Sequence, residues 1–281
     1  MTYVHISDMH LVLKGDDMFR DGASFKRLEA LFEDIAYRGV QPDVFLISGD
    51  ICFHEDAACY EKARTVIEQN IRFFDAPAVV ALGNHDNAQA FRQGYLGETG
   101  GHEPYFGETQ LGDVRILALD SRLIKGQAIY QPTGIISEEQ LAWLKAKLSE
   151  PTLKETLIMF HHPPVQIPTE RRELMGNADA LFEVLSGSKV SAILCGHTHE
   201  AAIGSRGGIL YSVAPGALNG RISSKQSDKV SITRESGYNI GFIKDGALTI
   251  QTKYVNPERK QDRAFKIEDL ENKHKGVEKG I

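Results

Sequence analysis

The stretch Pro42-Asp43-Val44-Phe45-Leu46-Ile47-Ser48-Gly49-Asp50 enters through a turn, runs through four large apolar residues and a serine, and ends on a glycine and a carboxylate. A short continuous apolar run bounded by turn residues reads as a strand buried on both faces. Upstream, Tyr3 to Ser7 reads as another strand, followed by a helix with Ser24 as its N-cap. That helix carries Leu28, Leu31, Phe32 and Ile35 at helical spacing and is closed by Gly39. Downstream, a helix from about Asp56 to Phe74 leads into the strand Ala78 to Leu82, which ends at Gly83-Asn84. Two strand-helix-strand units in succession predict a parallel sheet.

The alternation continues. Val114 to Leu119 is a strand, and Ser137 with Gln140 forms a capping box ahead of Leu141, Trp143, Leu144 and Leu148. Thr156 to Phe160 and Val190 to Cys195 are strands, with a helix near Asp179 to Leu185 between them. Ile209 to Val213, Tyr238 to Ile243 and Ala247 to Val255 follow as strands, the last two joined by a Lys244-Asp245-Gly246 hairpin turn. These three predict a second, more antiparallel sheet. Asn219 to Ser236 is polar and weakly patterned, which predicts a mobile loop or a cap element. Beyond Pro257 the charges lack an apolar stripe.

The chain has 281 residues, 42% hydrophobic and 25% charged, a composition of globular domains. Its net charge of -6 gives no overall basic field, which disfavours a nucleic-acid partner. No apolar stretch approaches the roughly 20 residues that span a bilayer. Met1 to Ser7 run straight into a polar cluster and leave no room for a cleavable signal, so the expected location is cytoplasmic. Cys52, Cys59 and Cys195 form no C-x-x-C pair and are odd in number, and read as buried thiols.

Five short clusters carry the chemistry: Asp8-Met9-His10, Gly49-Asp50, Gly83-Asn84-His85-Asp86, His161-His162 and Gly196-His197-Thr198-His199. Six of the ten histidines fall inside them, and each cluster follows a strand-like run. Aspartate, asparagine and neutral imidazole without thiolate suit Zn, Mn, Fe or Co and argue against Cu(I) or an iron-sulfur cluster. Seven such donors exceed the needs of one ordinary site and fit two metals sharing a carboxylate. Asp50, alone in its cluster after Gly49, is the natural bridge, offering two oxygens.

In order and wording, the five clusters resemble the calcineurin-like metallophosphoesterase superfamily, from Asp8 to His199 and more loosely beyond. The resemblance implies a four-layer α/β/β/α sandwich, two mixed sheets flanked by helices. The expected organisation is a catalytic domain over residues 1–256, with a cap or loop element near 219–236, and a charged tail over 257–281 that the resemblance does not cover. The resemblance also implies that Asp8, His10 and His199 hold one metal and Asn84, His161 and His197 the other, with Asp50 bridging. The ions would be divalent or trivalent Mn, Fe or Zn. His85 would face the phosphate and assist the leaving alkoxide, with Asp86 as its orienting partner. The implied reaction is phosphoester hydrolysis by metal-activated hydroxide.

The Asp8-Met9-His10 wording, the His161-His162-Pro163-Pro164 run and the segment Ser137 to Leu144 are most similar to the class III cyclic-nucleotide and glycerophosphodiester phosphodiesterase branch. The expected substrate is a small phosphodiester such as 3',5'-cyclic AMP or a glycerophosphodiester. A nuclease, a phosphomonoesterase or protein phosphatase and a non-catalytic scaffold are the alternatives. Relatives in the branch often dimerise, which leaves a homodimer open. His162 is either a substrate contact or packing behind a ligand. His54 and His102 are expected in solvent, His5 in the first strand and His274 solvated in the tail. The loop Pro163 to Gly176, with Arg171 and Arg172, is expected to border the pocket. Asn219 and Arg221 are placed there by the same reasoning.

Overall fold

A computed structural model describes residues 1–13, 23–53, 56–122, 133–151, 154–170, 173–223 and 230–255. In chain order the elements are β1 (Thr2–Ile6), α1 (Ser24–Tyr37), β2 (Val44–Ser48), α2 (Ala57–Phe74), β3 (Ala78–Ala81) and α3 (Ala88–Phe91), which widens into a π-helical turn over Arg92–Leu96. Next come β4 (Gly107–Leu111), β5 (Val114–Ala118), α4 (Glu138–Ser149), β6 (Glu155–Met159), α5 (Ala178–Leu185) and β7 (Ala192–Cys195). The remaining strands are β8 (Ala202–Arg206), β9 (Ile209–Val213), β10 (Gly220–Ile222), β11 (Ser231–Thr233), β12 (Ser236–Lys244) and β13 (Ala247–Val255).

Two mixed sheets stand back to back. One has the order β13-β12-β1-β2-β3 and the other β4-β5-β6-β7-β9-β8. The strand Val44–Ser48 pairs in parallel with β1 on one side and β3 on the other, as its two-faced burial requires. Val44 and Leu46 point between the sheets with Tyr3, Val79 and Ala81, against Ile116, Leu157, Met159 and Leu194 of the second sheet. Phe45 and Ile47 face outward onto Leu28, Leu31, Phe32, Tyr60 and Ile67 of α1 and α2. On the far side, Leu117, Ile158 and Ile193 are covered by Leu144, Leu181 and Leu185 of α4 and α5. This is the expected four-layer sandwich.

The second, more antiparallel sheet expected from the last three strands does not form from them alone. Strand β9 lies parallel to β7 inside the second sheet, because the Gly207-Gly208 turn folds β8 back along its outer edge. Strand β12 pairs antiparallel with β1, with Val4 opposite Ile240, and so extends the first sheet. Its hairpin with β13 turns at Asp245 and Gly246, both at positive φ, as the Asp-Gly pair predicts.

Helix starts differ in detail. Ser24 is the first helical residue rather than the cap, and its Oγ accepts the Val12 N–H at 3.2 Å. Asp56 does cap α2, accepting from the Ala58 N–H at 2.8 Å. Ser137 caps α4, while the Gln140 amide pins both the N–H (2.7 Å) and the carbonyl (2.8 Å) of Asp120 beyond β5. Part of the Asn219 to Ser236 segment forms the β10-β11 ribbon rather than a loop. His54, His274, Arg171, Arg172 and the tail lie outside the described residues, and no helix among those described is long and apolar enough to cross a membrane.

Candidate metal centre

The five clusters meet at one end of the sandwich, where the loops after β1, β2, β3, β6 and β7 continue the strand pairing. Asp8 donates its N–H to the Gly49 carbonyl at 3.1 Å, and His10 its N–H to the Asp50 carbonyl at 2.9 Å. Gly196 donates to the His161 carbonyl at 2.9 Å. Glycine is required where these loops touch. A Cβ on Gly49, at φ +97°, would lie 2.5 Å from the Gly83 nitrogen, and one on Gly83 would overlap Asp50 Oδ1.

Among the described residues, five of the seven non-glycine residues at positive φ are predicted metal ligands: Asp8 (56°), His10 (41°), Asp50 (52°), His197 (74°) and His199 (58°). L-residues reach this region at a cost of about 1 kcal/mol or more each. The packed β-framework sustains it, and the turned backbone points all five side chains inward.

Seven side chains converge there, each at most 5% exposed: Asp8, His10, Asp50, Asn84, His161, His197 and His199. They fall into two groups. In the first, His199 Nε2 lies 3.1 Å from His10 Nε2 and 3.2 Å from Asp8 Oδ1. In the second, Asn84 Oδ1 lies 3.1 Å from His161 Nε2 and 2.9 Å from His197 Nδ1. Asp50 Oδ2 sits between them, 3.5 Å from His10 Nε2 and 3.2 Å from His161 Nε2. Its other oxygen accepts the His85 N–H at 2.8 Å. One oxygen of Asp50 is therefore common to both groups, where the sequence suggested that both oxygens would be used.

The donors fit cations. The Ser48 carbonyl can only accept, so His161 Nδ1 at 2.7 Å must carry a proton there, which leaves Nε2 to face Asp50. Asn219 does the same for His199, with Oδ1 at 2.9 Å from Nδ1 and its carbonyl at 3.3 Å. Asp8 Oδ1 is buried with no hydrogen-bond donor, yet imidazole nitrogens surround it. Lone pairs pointed at one another at these distances need a metal ion or a proton between them. Burial works against the charged form of His161, but the Asp50 and Asp8 carboxylates outweigh it and hold the imidazolium up to about 9. Burial pushes His10 down to about 3, against the pull of Asp50. Burial opposes ionisation of Asp8 and Asp50, and the facing histidines nevertheless hold both well below the usual carboxylate range. Groups of Asp8, His10 and His199, of His10, Asp50 and His85, and of Asp8, Asp50 and His161 each bring ligand atoms within 4.8 Å of one another.

One expected placement changes. Asp86 was placed beside His85 by resemblance, but its carboxylate accepts from the Ile51 N–H (3.1 Å), the Cys52 N–H (3.3 Å), the Gly83 N–H (2.9 Å) and the Tyr60 hydroxyl (2.7 Å). Four donors use the roughly four lone-pair sites of a carboxylate. Asp86 thus clamps the Asp50 loop to the Gly83 loop rather than orienting His85. His162, expected either as a substrate contact or as packing behind a ligand, is fully buried; its Nδ1 lies 2.8 Å from Ser121 Oγ and its ring packs on His197 at 4.5 Å between centroids. It supports His197 from behind.

His85 is half-buried, its ring 4.8 Å from His10 edge to face and 5.2 Å from Phe53 in a parallel stack. His5 lies in β1 and His102 is exposed, as expected. The loop after His162 is partly core, with Ile167, Leu174 and Met175 buried. Thr169 Oγ1 reaches Glu200 Oε2 at 2.9 Å, beside the His197 to His199 loop. Asn219, guessed at the pocket border, is fully buried behind His199. The sequence reading missed the Ser48 carbonyl, Phe53, and an Asp120–Arg122 pair whose guanidinium donates to the Asp86 carbonyl at 2.8 Å. Arg122 follows β5, which ends without a ligand cluster although β6 and β7 beside it each end on one, and that break in the pattern was its signal.

A profile of the family described as Calcineurin-like phosphoesterase matches residues 1–201. A probable cyclic nucleotide phosphodiesterase of Rhodococcus erythropolis is 34% identical over 213 residues, covering 75% of this chain and 69% of that one. A cAMP/cGMP dual specificity phosphodiesterase of Mycobacterium tuberculosis is 33% identical over 216 residues, covering 75% of this chain and 65% of that one. A dimetal phosphatase from Danio rerio shares the fold, with a TM-score of 0.63 at 16% identity, covering 89% of this chain and 95% of that one. With five clusters assembled at one end of a four-layer sandwich and a profile spanning more than half its length, the chain belongs to the calcineurin-like phosphoesterase family.

Proposed function

We propose that this chain hydrolyses a small phosphodiester at two metal ions, with 3',5'-cyclic AMP the leading substrate and a glycerophosphodiester the alternative. One observation carries the reading: Asp50 Oδ2 belongs to both donor groups at once. Asp8, His10 and His199 would hold one ion, Asn84, His161 and His197 the other, and Asp50 both; Mn, Fe and Zn all suit this set. Such a pair, when bound, makes hydroxide available from water near neutral pH and neutralises phosphoryl oxygens.

The chain's own residues supply the rest. Ser48 and Asn219 fix the tautomers of His161 and His199 and keep their Nε2 atoms inward. His85 is more exposed than the seven donors and projects beside His10, where it can give a proton to the departing alkoxide. The two relatives named for cyclic nucleotides favour that substrate class. The proposed catalytic unit spans residues 1–256, and its three buried, unpaired thiols suit a reducing cytoplasm.

The test is turnover by metal-loaded protein of cyclic AMP, cyclic GMP, glycerophosphodiesters and bis(p-nitrophenyl) phosphate against p-nitrophenyl phosphate. Diester preference is expected, and a strong monoester preference overturns the reading. Single-stranded DNA and a phosphopeptide panel, included in the same screen, would expose a nuclease or a protein phosphatase.

A further inference from the structure

Each donor group draws on both sheets. Asp8 and His10 follow β1 and meet His199, which follows β7; Asn84 follows β3 and meets His161 and His197, which follow β6 and β7. The distances between donors therefore depend on how the loops of one sheet are held against those of the other. Around Asp8 the main chain itself makes the crossing. After β9 it passes over to the first sheet, where Ala217 and Leu218 donate to the carbonyls of Ser7 and Asp8 at 2.8 and 3.1 Å. The His197 N–H also donates to Asp8 Oδ2, at 2.9 Å.

The Asn84 loop is held differently. Among the described strands β3 is an edge of the first sheet, paired with β2 on one side only. Asn84 and His85 are the two central residues of a tight turn, closed by the Asp86 N–H on the Gly83 carbonyl at 2.9 Å. At the entry, Asp86 Oδ2 accepts the Gly83 N–H at 2.9 Å. The exit is held from two directions. The Tyr60 hydroxyl of α2 accepts the Asn87 N–H at 3.2 Å, and Arg122 Nη1 donates to the Asp86 carbonyl at 2.8 Å. Arg122 follows β5, so this last bond crosses from the second sheet to the first.

The guanidinium is itself braced. Its Nε donates to Asp120 Oδ1 at 2.9 Å and its Nη2 to Oδ2, a fork that fixes direction as well as charge. Asp120 is fully buried, its Oδ2 also accepts the Tyr105 N–H at 2.9 Å, and Gln140 pins its backbone on both sides. We infer that Arg122, braced by Asp120, is the positioning residue for Asn84: it carries the turn from the opposite sheet and so sets Asn84 Oδ1 against His161 and His197. The inference rests on the two-ion reading proposed above and divides the site further. Arg122 serves the ion of Asn84, His161 and His197, as Asn219 serves the ion of Asp8, His10 and His199.

The experiment titrates metal-stripped protein with Mn²⁺ by calorimetry, comparing wild type, Arg122→Lys, Asn84→Ala, Asn219→Ala and the doubles Arg122→Lys/Asn84→Ala and Arg122→Lys/Asn219→Ala. Lysine keeps a charge beside Asp120, but its single ammonium lacks the fork that spans Asp120 and the Asp86 carbonyl. Partners behind a metal ligand are worth roughly 10- to 100-fold in affinity, and with Tyr60 and Asp86 still on the turn the lower end applies. Arg122→Lys should therefore weaken one equivalent about tenfold and leave the other within about twofold. The weakened equivalent should be the one that Asn219→Ala spares, so the Arg122→Lys/Asn219→Ala protein should show both weakened. In the Asn84→Ala background Arg122→Lys should add nothing further. Should Arg122→Lys fail to fold, Arg122→Met/Asp120→Asn removes both charges together, leaves no buried carboxylate unpaired, and takes its place.

A readout independent of metal is amide hydrogen exchange in the stripped protein. The His85 and Asp86 amides, which anchor and close the turn, should exchange faster in the Arg122 variants, while those of Ala217 and Leu218 stay as in wild type. Weakening of the Asn219-dependent equivalent, equal weakening of both, additivity with Asn84→Ala, or unchanged exchange at His85 and Asp86 would each overturn the assignment. If the wild type takes up fewer than two equivalents, the two-ion reading fails by itself, and the exchange rates still decide whether Arg122 holds the turn.

Discussion

Replacing Asn219 by alanine should weaken one metal site and spare the other. Asn219 Oδ1 holds His199 Nδ1 at 2.9 Å, and the Asn219 carbonyl stands behind it at 3.3 Å. Deleting the side chain removes the better acceptor and leaves the poorer one, so the ring keeps a partner at longer range. A hydrogen bond of this kind contributes about 0.5–1.5 kcal/mol net, and partners behind a metal-bound imidazole are worth roughly 10- to 100-fold in affinity. With the carbonyl in reserve, the lower end applies: about tenfold, or about 1.4 kcal/mol. His161, in the other group, leans on the Ser48 backbone carbonyl at 2.7 Å, which no substitution at residue 219 removes. Calorimetric titration of metal-stripped protein should therefore show one equivalent weakened and one unchanged. Asn219→Asp, which keeps an acceptor at that place, should bind within a few-fold of wild type. The thermal midpoint of each stripped variant separates metal affinity from the packing lost at a fully buried residue. Equal weakening of both equivalents, or of neither, would refute the division of donors.

Asp50→Ala removes the oxygen common to both groups, so both equivalents should weaken by more than the roughly 100-fold ceiling of outer partners, and hydrolysis should be lost. Full activity in that variant would sink the two-metal reading. Metal uptake should release about one proton from His161, because its imidazolium, held up to about 9, must become neutral to bind. The sign follows: apparent affinity rises by about one log unit per pH unit below 9 and flattens above it, as titrations in buffers of different ionisation enthalpy would show. Asp86→Ala leaves the Tyr60 hydroxyl and three buried N–H groups without their acceptor, and should cost at least about 3 kcal/mol in urea unfolding. A loss under about 1 kcal/mol would show that Asp86 is not a clamp.

The central strands were readable because they are buried on both faces and leave no choice of side chain. Val44–Ser48 and Ala192–Cys195 are apolar but for Ser48 and ended within two residues of their predicted limits. Edge strands were not readable. Gly107–Leu111 and Ala202–Arg206 alternate between partly buried and exposed positions, and Glu108, Gln110, Gly204 and Arg206 carry no apolar signal. The partnership of late strands was misread for a different reason. Sequence shows that Ile209–Val213 and Ser236–Lys244 are strands, but their neighbours lie far away in the chain, at β7 and at β1. The choice between a sheet of their own and extension of existing sheets is made by the open edges those sheets present.

The same division runs through the site. Ligands were legible because metal chemistry restricts them to a few side-chain types, and a run of strand, glycine and donor repeats at each loop. Their supports were hidden because many of them are backbone. The Ser48 carbonyl behind His161 and the Leu11 carbonyl that anchors Phe53 could belong to any residue, so no letter marks them. Asp86 shows the converse hazard. It has the right type and lies next to His85 in the chain, yet its carboxylate turns to Tyr60 and the loop amides, where buried N–H groups had no other acceptor. An unmet backbone donor outcompetes a proximity in sequence, while the His85 ring stacks on Phe53.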